Sequence, residues 1–126
     1  MKIYVASSWR NELQPQVVAQ LRKQGHEVYD FKQPKPGDSG FRWNEIDPNW
    51  QQWSPAQWVS ALSHHIAEAG FRSDMDALRD CDACVLVMPC GKSAHLEFGW
   101  AAGAGKKTVY LQREKAEPEL MVKMAD

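Results

Sequence analysis

Ala83-Cys84-Val85-Leu86-Val87-Met88 runs directly into Pro89-Cys90-Gly91-Lys92-Ser93 and then into Ala94-His95-Leu96-Glu97-Phe98-Gly99-Trp100-Ala101-Ala102-Gly103. The first segment is a nearly continuous apolar run of strand length, the pattern of a parallel strand covered on both faces. The second is a polar turn containing a glycine, and the third reads as a helix from Ala94 to about Gly103. Strand, polar turn and helix in this order make half of a βαβ unit, with the strand at the centre of a sheet.

Outward from this centre the same alternation repeats. Lys2 to Ser7 is short, apolar and β-prone, and Leu13, Val17, Val18 and Leu21 follow at helical spacing. Gly25 ends that helix, and His26 to Phe31 alternates as a second strand. From Lys32 to Trp53 the pattern dissolves into Pro34, Pro36, Gly37, Gly40 and Pro48 mixed with aromatics, a connection long enough to be a binding loop or lid. Ser54-Pro55 starts a helix expected to reach about Glu68, and another is expected from about Ser73 to Arg79. Thr108 to Leu111 gives a fourth strand and Glu117 to Met124 a terminal helix. The expectation is α/β: a single doubly wound parallel sheet of about four or five strands, flavodoxin- or Rossmann-like, with helices on both faces. Right-handed crossovers favour the strand order 2-1-3-4. Its switch point lies between the first and third strands, where the loops Ser7 to Asn11 and Pro89 to Ser93 meet and a ligand is expected.

With 126 residues the chain is the size of one domain, taken as 1–126. Its 15 Lys and Arg against 16 Asp and Glu, with no basic run, argue against a nucleic-acid polymer as partner. Three cysteines do not form a disulfide framework and fit a reducing compartment, so the cytoplasm is the expected location. The apolar stretch after Lys2 is too short for the core of a signal peptide, and no later run reaches membrane-spanning length.

Glu97 is the only carboxylate in a helix of small and apolar residues that reads as buried all round. A carboxylate there is costly unless hydrogen-bonded, and with Ser93 as cap the capping-box position falls on Leu96, so capping does not account for it. Ser93, Lys92 and the backbone N–H groups after Gly91 form one candidate anion site; Ser7, Ser8 and Arg10 form another on the first loop. No Walker or Rossmann glycine fingerprint is present, which disfavours a nucleoside triphosphatase or an ordinary dehydrogenase.

Asp74, Asp76, Asp80 and Asp82 crowd the region before the central strand. Glycosidic chemistry uses two carboxylates of different pKa, and any one of these could pair with Glu97; composition leaves the choice open. Trp43, Trp50, Trp53 and Trp58, with Phe41, either cap the core or stack on a planar ligand such as a base. Cys81 and Cys84 have metal-ligand spacing, with Cys90 and His95 nearby, but Cys84 falls inside an apolar strand and zinc is disfavoured. His64 and His65 read as surface residues pointing apart.

The motifs Tyr4-Val5-Ala6-Ser7-Ser8-Trp9-Arg10, Ser73-Asp74-Met75-Asp76-Ala77-Leu78, Ser93-Ala94-His95-Leu96-Glu97-Phe98-Gly99 and Pro118-Glu119-Leu120-Met121 occur in this order. In them the chain resembles the nucleoside 2-deoxyribosyltransferase-like family, which includes deoxynucleoside 5′-monophosphate N-glycosidases. The resemblance implies that Glu97 is the nucleophile toward the anomeric carbon, Asp74 the handler of the base's proton and Tyr4 the hydroxyl that orients the glutamate. It implies substrate contacts from Ser8, Trp9, Arg10, Gly91, Lys92, Ser93 and Glu119, to which the residue reading adds Ser7 and Trp43, with no metal or organic cofactor.

Deoxyribosyltransferases tend to carry an acidic residue six positions before the nucleophile, where this chain has Gly91. Gly91-Lys92-Ser93 looks more like the phosphate-binding turn of the nucleotide glycosidases. Those enzymes use a tail serine from a neighbouring subunit; the corresponding residue here is Glu119, and a homodimer or larger assembly is expected. The expected function is retaining cleavage of the N-glycosidic bond of a nucleoside or its 5′-monophosphate. The alternatives are a non-catalytic nucleotide-binding sensor using the same crevice, and a protein-interaction module using the Trp-rich loop.

Overall fold

Residues 1–126 are described by a computed structural model. Four strands, β1 (Lys2–Ala6), β2 (Glu27–Asp30), β3 (Ala83–Val87) and β4 (Lys107–Leu111), form one parallel sheet in the order β2-β1-β3-β4. This is the sheet and the order expected from the sequence. Every residue of β3 is buried, which its unbroken apolar run requires of a central strand.

The pleat sorts the strand residues onto two faces. Ile3, Val5, Val28, Ala83, Val85 and Val87 form a core cluster with Val18, and Leu13, Val17 and Leu21 pack against it, so α1 (Leu13–Lys23) covers that face. Tyr4, Cys84, Leu86 and Tyr110 belong to the alternate set. Phe98 of α4 (Lys92–Gly103) meets Tyr110 edge-on with ring centroids 6.3 Å apart, which puts α4 on the opposite face.

Chain contacts divide the molecule into two compact units, Met1–Asp30 with Ala77–Asp126, and Phe31–Asp76. The first holds the sheet, α1 and α4. Beyond β4 its tail makes a 3₁₀ turn at Leu120–Met124, where a terminal helix from Glu117 was expected. The tail then ties back, as Asp126 Oδ2 accepts from the Thr108 backbone N–H at 2.7 Å and from its hydroxyl at 3.1 Å.

In the second unit the loop from Lys32 to Trp53 contains two 3₁₀ turns, Trp43–Glu45 and Trp50–Gln52, followed by α2 (Pro55–Ala61) and most of α3 (His65–Asp80). Ser54 and Gln57 close a reciprocal capping box at the start of α2. The expected helix to Glu68 instead breaks after Ala61, and α3 then runs unbroken through Gly70 to Asp80. The break is stabilised by the His64 ring, whose Nδ1 accepts from the Ile66 N–H at 3.1 Å. His64 is therefore a helix cap, and its ring stacks on His65 with centroids 4.4 Å apart instead of pointing away. Phe41, Trp43 and Trp53 form an edge-to-face series, and the Trp53 indole N–H donates to Asp47 at 2.8 Å. The Asn49 backbone N–H and this indole hold the Asp47 carboxyl below its ordinary range. No helix is long and apolar enough to cross a membrane.

Candidate active site

Two loops meet at the carboxyl ends of β1 and β3, where the order in which the chain adds strands reverses. The first runs from Ser7 to Glu12, the second from Met88 to Gly91. Ser7 donates its hydroxyl proton to the Val87 carbonyl at 2.8 Å. Asn11 is buried, and its Nδ2 donates to the same carbonyl at 3.3 Å and to the Pro89 carbonyl at 3.0 Å. Its Oδ1 accepts from the backbone N–H of Leu13 and Gln14 at 2.8 and 2.9 Å. The first N–H groups of α1 are thus already engaged by a side chain. On this loop Ser8 is half-buried and Trp9 and Arg10 are exposed, while the helix end itself is occupied.

The second helix end differs. Gly91 is the N-cap of α4 and no side chain caps the helix. Ser93 therefore lies inside the first turn instead of capping it, with Lys92 preceding it as the first helical residue. Gly91, Lys92 and Ser93 are all exposed, and a Cβ on Gly91 would meet nothing within 4 Å. An uncapped helix N-terminus with a lysine in its first turn is an arrangement that favours an anion. His95, one turn on, uses Nδ1 against the Gly91 carbonyl at 2.8 Å, with the Cys90 sulfur 3.6 Å away.

Glu97 is half-buried on α4. The helix is not buried all round: Ala94, Phe98 and Ala101 face the sheet, whereas Leu96 is 75% and Trp100 38% exposed. Burial raises the Cys84 thiol far above its ordinary range, and the charges of Cys81 and Glu97 add to this. Burial pushes the Cys90 thiol up to about 11, with Glu97 again contributing. The Glu97 carboxylate is thus electrostatically felt by a thiol on β3 and by one in the loop after it. Tyr4 is fully buried, directly beside Cys84 in the sheet register, and its ring stacks on Tyr29 at 5.1 Å.

Asp74 is half-buried on α3 and Trp43 half-buried in the aromatic series; both belong to the second unit. Glu119 is exposed in the tail, where its carboxylate caps the 3₁₀ turn through the Met121 N–H at 3.0 Å. Sequence reading missed Asn11, whose type signals only a loop or a cap. The Tyr110 phenol, on the same face of the sheet as Tyr4, is pushed up by burial and by its neighbours Cys90 and Glu119.

No family model and no curated protein matches the chain. Solved structures do, two of which show the extent of the match. One is a 2-deoxyribosyltransferase from the psychrotolerant bacterium Bacillus psychrosaccharolyticus, 19% identical, with 97% of this chain and 80% of that one aligned at a TM-score of 0.67. The fold is nucleoside 2-deoxyribosyltransferase-like. The other is the Clostridium botulinum CMP N-glycosidase BcmB, 20% identical over 98% of this chain and 78% of that one, at a TM-score of 0.56. The deoxyribosyltransferase-like fold thus accounts for nearly the whole chain, including the segment from Lys32 to Trp53 that the sequence pattern left without assigned elements.

Proposed function

We propose that this protein cleaves the N-glycosidic bond of a nucleoside or, in preference, a nucleoside 5′-monophosphate, with retention and through a glycosyl-enzyme on Glu97. The observation that carries this reading is a half-buried carboxylate on a helix whose uncapped, lysine-bearing N-terminus opens at the sheet's switch point. The two structural neighbours, a deoxyribosyltransferase and a CMP N-glycosidase, support the same chemistry.

The Glu97 carboxylate attacks the anomeric carbon as the C–N bond to the base breaks, and Asp74 delivers the proton that the departing base needs. Asp74, now ionised, takes a proton from water or from a second base, which attacks the same carbon and releases Glu97. Water makes the enzyme a hydrolase, and a base makes it a transferase. Tyr4 orients the glutamate. Ser8, Arg10, Gly91, Lys92 and Ser93 hold the 5′-phosphate, with Ser7, Trp9, Trp43 and Glu119 as further substrate contacts. The exposed Leu96 and Trp100 on α4 support association into a homodimer or larger assembly, which light scattering would detect.

The test is incubation of the purified protein with ribo- and deoxynucleosides and their 5′-monophosphates, with and without a second base, followed by chromatography. Released or exchanged base that disappears in Glu97→Gln, by at least about 10⁴-fold in rate, is the expected result. Full activity in that variant sinks the mechanism. Binding without turnover on any substrate replaces the enzyme reading with that of a nucleotide sensor.

A further inference from the structure

We propose that Asn11 is a positioning residue that fixes the gap between the two loops at the switch point and thereby sets the preference for a phosphorylated over an unphosphorylated substrate. The inference rests on the phosphate reading above and extends it to a residue that contacts no substrate.

Asn11 sits at the end of the first loop, 5% exposed, and both halves of its amide are engaged. Nδ2 faces two carbonyl oxygens, of Val87 and Pro89, and Oδ1 faces two backbone N–H groups, of Leu13 and Gln14. Donors opposite acceptors on both sides allow only one orientation of the amide, since a flip would set oxygen against oxygen and N–H against N–H. Asn11 therefore fastens three things together: the start of α1, the end of β3 and the turn that leads into α4. The Ser7 hydroxyl, at 2.8 Å from the Val87 carbonyl, adds a second bond to the same strand end.

These contacts determine how far the first loop stands from the second. Ser8 and Arg10 lie between Ser7 and Asn11, the two residues fastened to β3, and Lys92 and Ser93 follow the Pro89 that Asn11 holds. A phosphate gripped from both loops senses their spacing directly, because charge-assisted hydrogen bonds depend steeply on distance and angle. A ribose or base without the phosphate does not bridge the loops and does not sense it. Sequence supports the same division of labour: aspartate or serine at position 11 would cap α1 as well as asparagine does, but only the amide offers an acceptor to the helix and two donors to the other loop.

The experiment compares wild type, Asn11→Asp and Asn11→Ser by calorimetry with deoxycytidine and deoxycytidine 5′-monophosphate, the adenine, guanine and thymine pairs being run alongside. Both substitutions keep an oxygen that caps α1. Aspartate sets a carboxylate against the Val87 and Pro89 carbonyls, and serine is too short to reach them. In both variants the ratio of monophosphate to nucleoside affinity should fall at least tenfold while nucleoside affinity stays within about twofold. If the two affinities fall together, or the ratio stays at the wild-type value, Asn11 is only a structural residue and the inference is overturned. A wild type that binds nucleoside and monophosphate alike overturns the phosphate reading itself. The two failures are thus told apart by the wild-type ratio, and the serine variant carries the test should aspartate fail to fold.

Discussion

The ring of Tyr4 lies against that of Tyr29, centroids 5.1 Å and planes 18° apart, with the two residues side by side in the register of β1 and β2. The stack holds a fully buried phenol at a fixed angle on the face of the sheet that α4 covers. Tyr4→Phe keeps the stack and removes only the hydroxyl. It should lower kcat by about 10- to 100-fold if that hydroxyl orients Glu97. Thermal stability should change by no more than about 1.5 kcal/mol. Tyr29→Ala removes the partner ring and should cost about 2 kcal/mol in denaturant unfolding. An unchanged kcat in Tyr4→Phe removes Tyr4 from the catalytic set.

Gly91→Asp tests the second loop. The position has room for a side chain, so the variant should fold as wild type does. A carboxylate at the uncapped end of α4 would repel a phosphate and accept from a sugar hydroxyl. Affinity for 5′-monophosphates should fall more than tenfold and affinity for free nucleosides should hold or rise. Equal losses for both ligands would remove the phosphate from this end of α4.

Gly70 and Gly99 should respond in opposite directions. A Cβ on Gly70 would come within 3.0 Å of the Phe41 Cβ, whereas one on Gly99 would meet nothing within 4 Å. Gly70→Ala should cost about 1–2 kcal/mol through overpacking, partly offset by the gain in helix propensity. Gly99→Ala should raise stability by up to about 1 kcal/mol. Chemical denaturation of both variants decides the matter, and a stabilised Gly70→Ala would mean that Phe41 yields freely.

Cys90 reports on the charge of Glu97. With its thiol pushed up to about 11, only about one molecule in a thousand carries the thiolate at pH 8. Alkylation of Cys90 by iodoacetamide, followed by mass spectrometry, should rise about tenfold per pH unit up to that value. Removing a neighbouring negative charge makes the thiolate easier to form, so Glu97→Gln should shift the rise to lower pH. An identical profile in the variant would mean that burial alone sets the thiol. The linkage to stability has a definite sign. An unfolded thiol loses its proton near 9 and the native one near 11, so native Cys90 holds more protons in that window and contributes stability that is lost as pH rises through it.

Strand order and the meeting of the two loops at the switch point were legible because they rest on the strongest sequence signals: the unbroken apolar run at Ala83 to Val87 and the alternation of strand and helix patterns. The break between α2 and α3 was not. It contains neither glycine nor proline, while Gly70, the residue that looks like a terminator, lies inside a continuous helix. Its cap is a histidine ring, a residue that does not announce a helix start. Glu97 stood out as a candidate because it is a single carboxylate in a largely apolar helix. Asn11 did not, because its role depends on the Val87 and Pro89 carbonyls more than seventy residues away, which no local pattern encodes.

The bond between Asp126 and Thr108 reaches beyond its own stability. In β4 the Lys107 N–H points inward to the Asp82 carbonyl, and the alternation of a strand turns the Thr108 N–H outward, to the open side of the sheet. An outward row of amides is a template on which a strand from another molecule can add, the first step of aggregation. Asp126 occupies that amide and brings a negative charge to the rim. A strand adding at this point of the β4 edge would first have to displace Asp126 from the Thr108 amide.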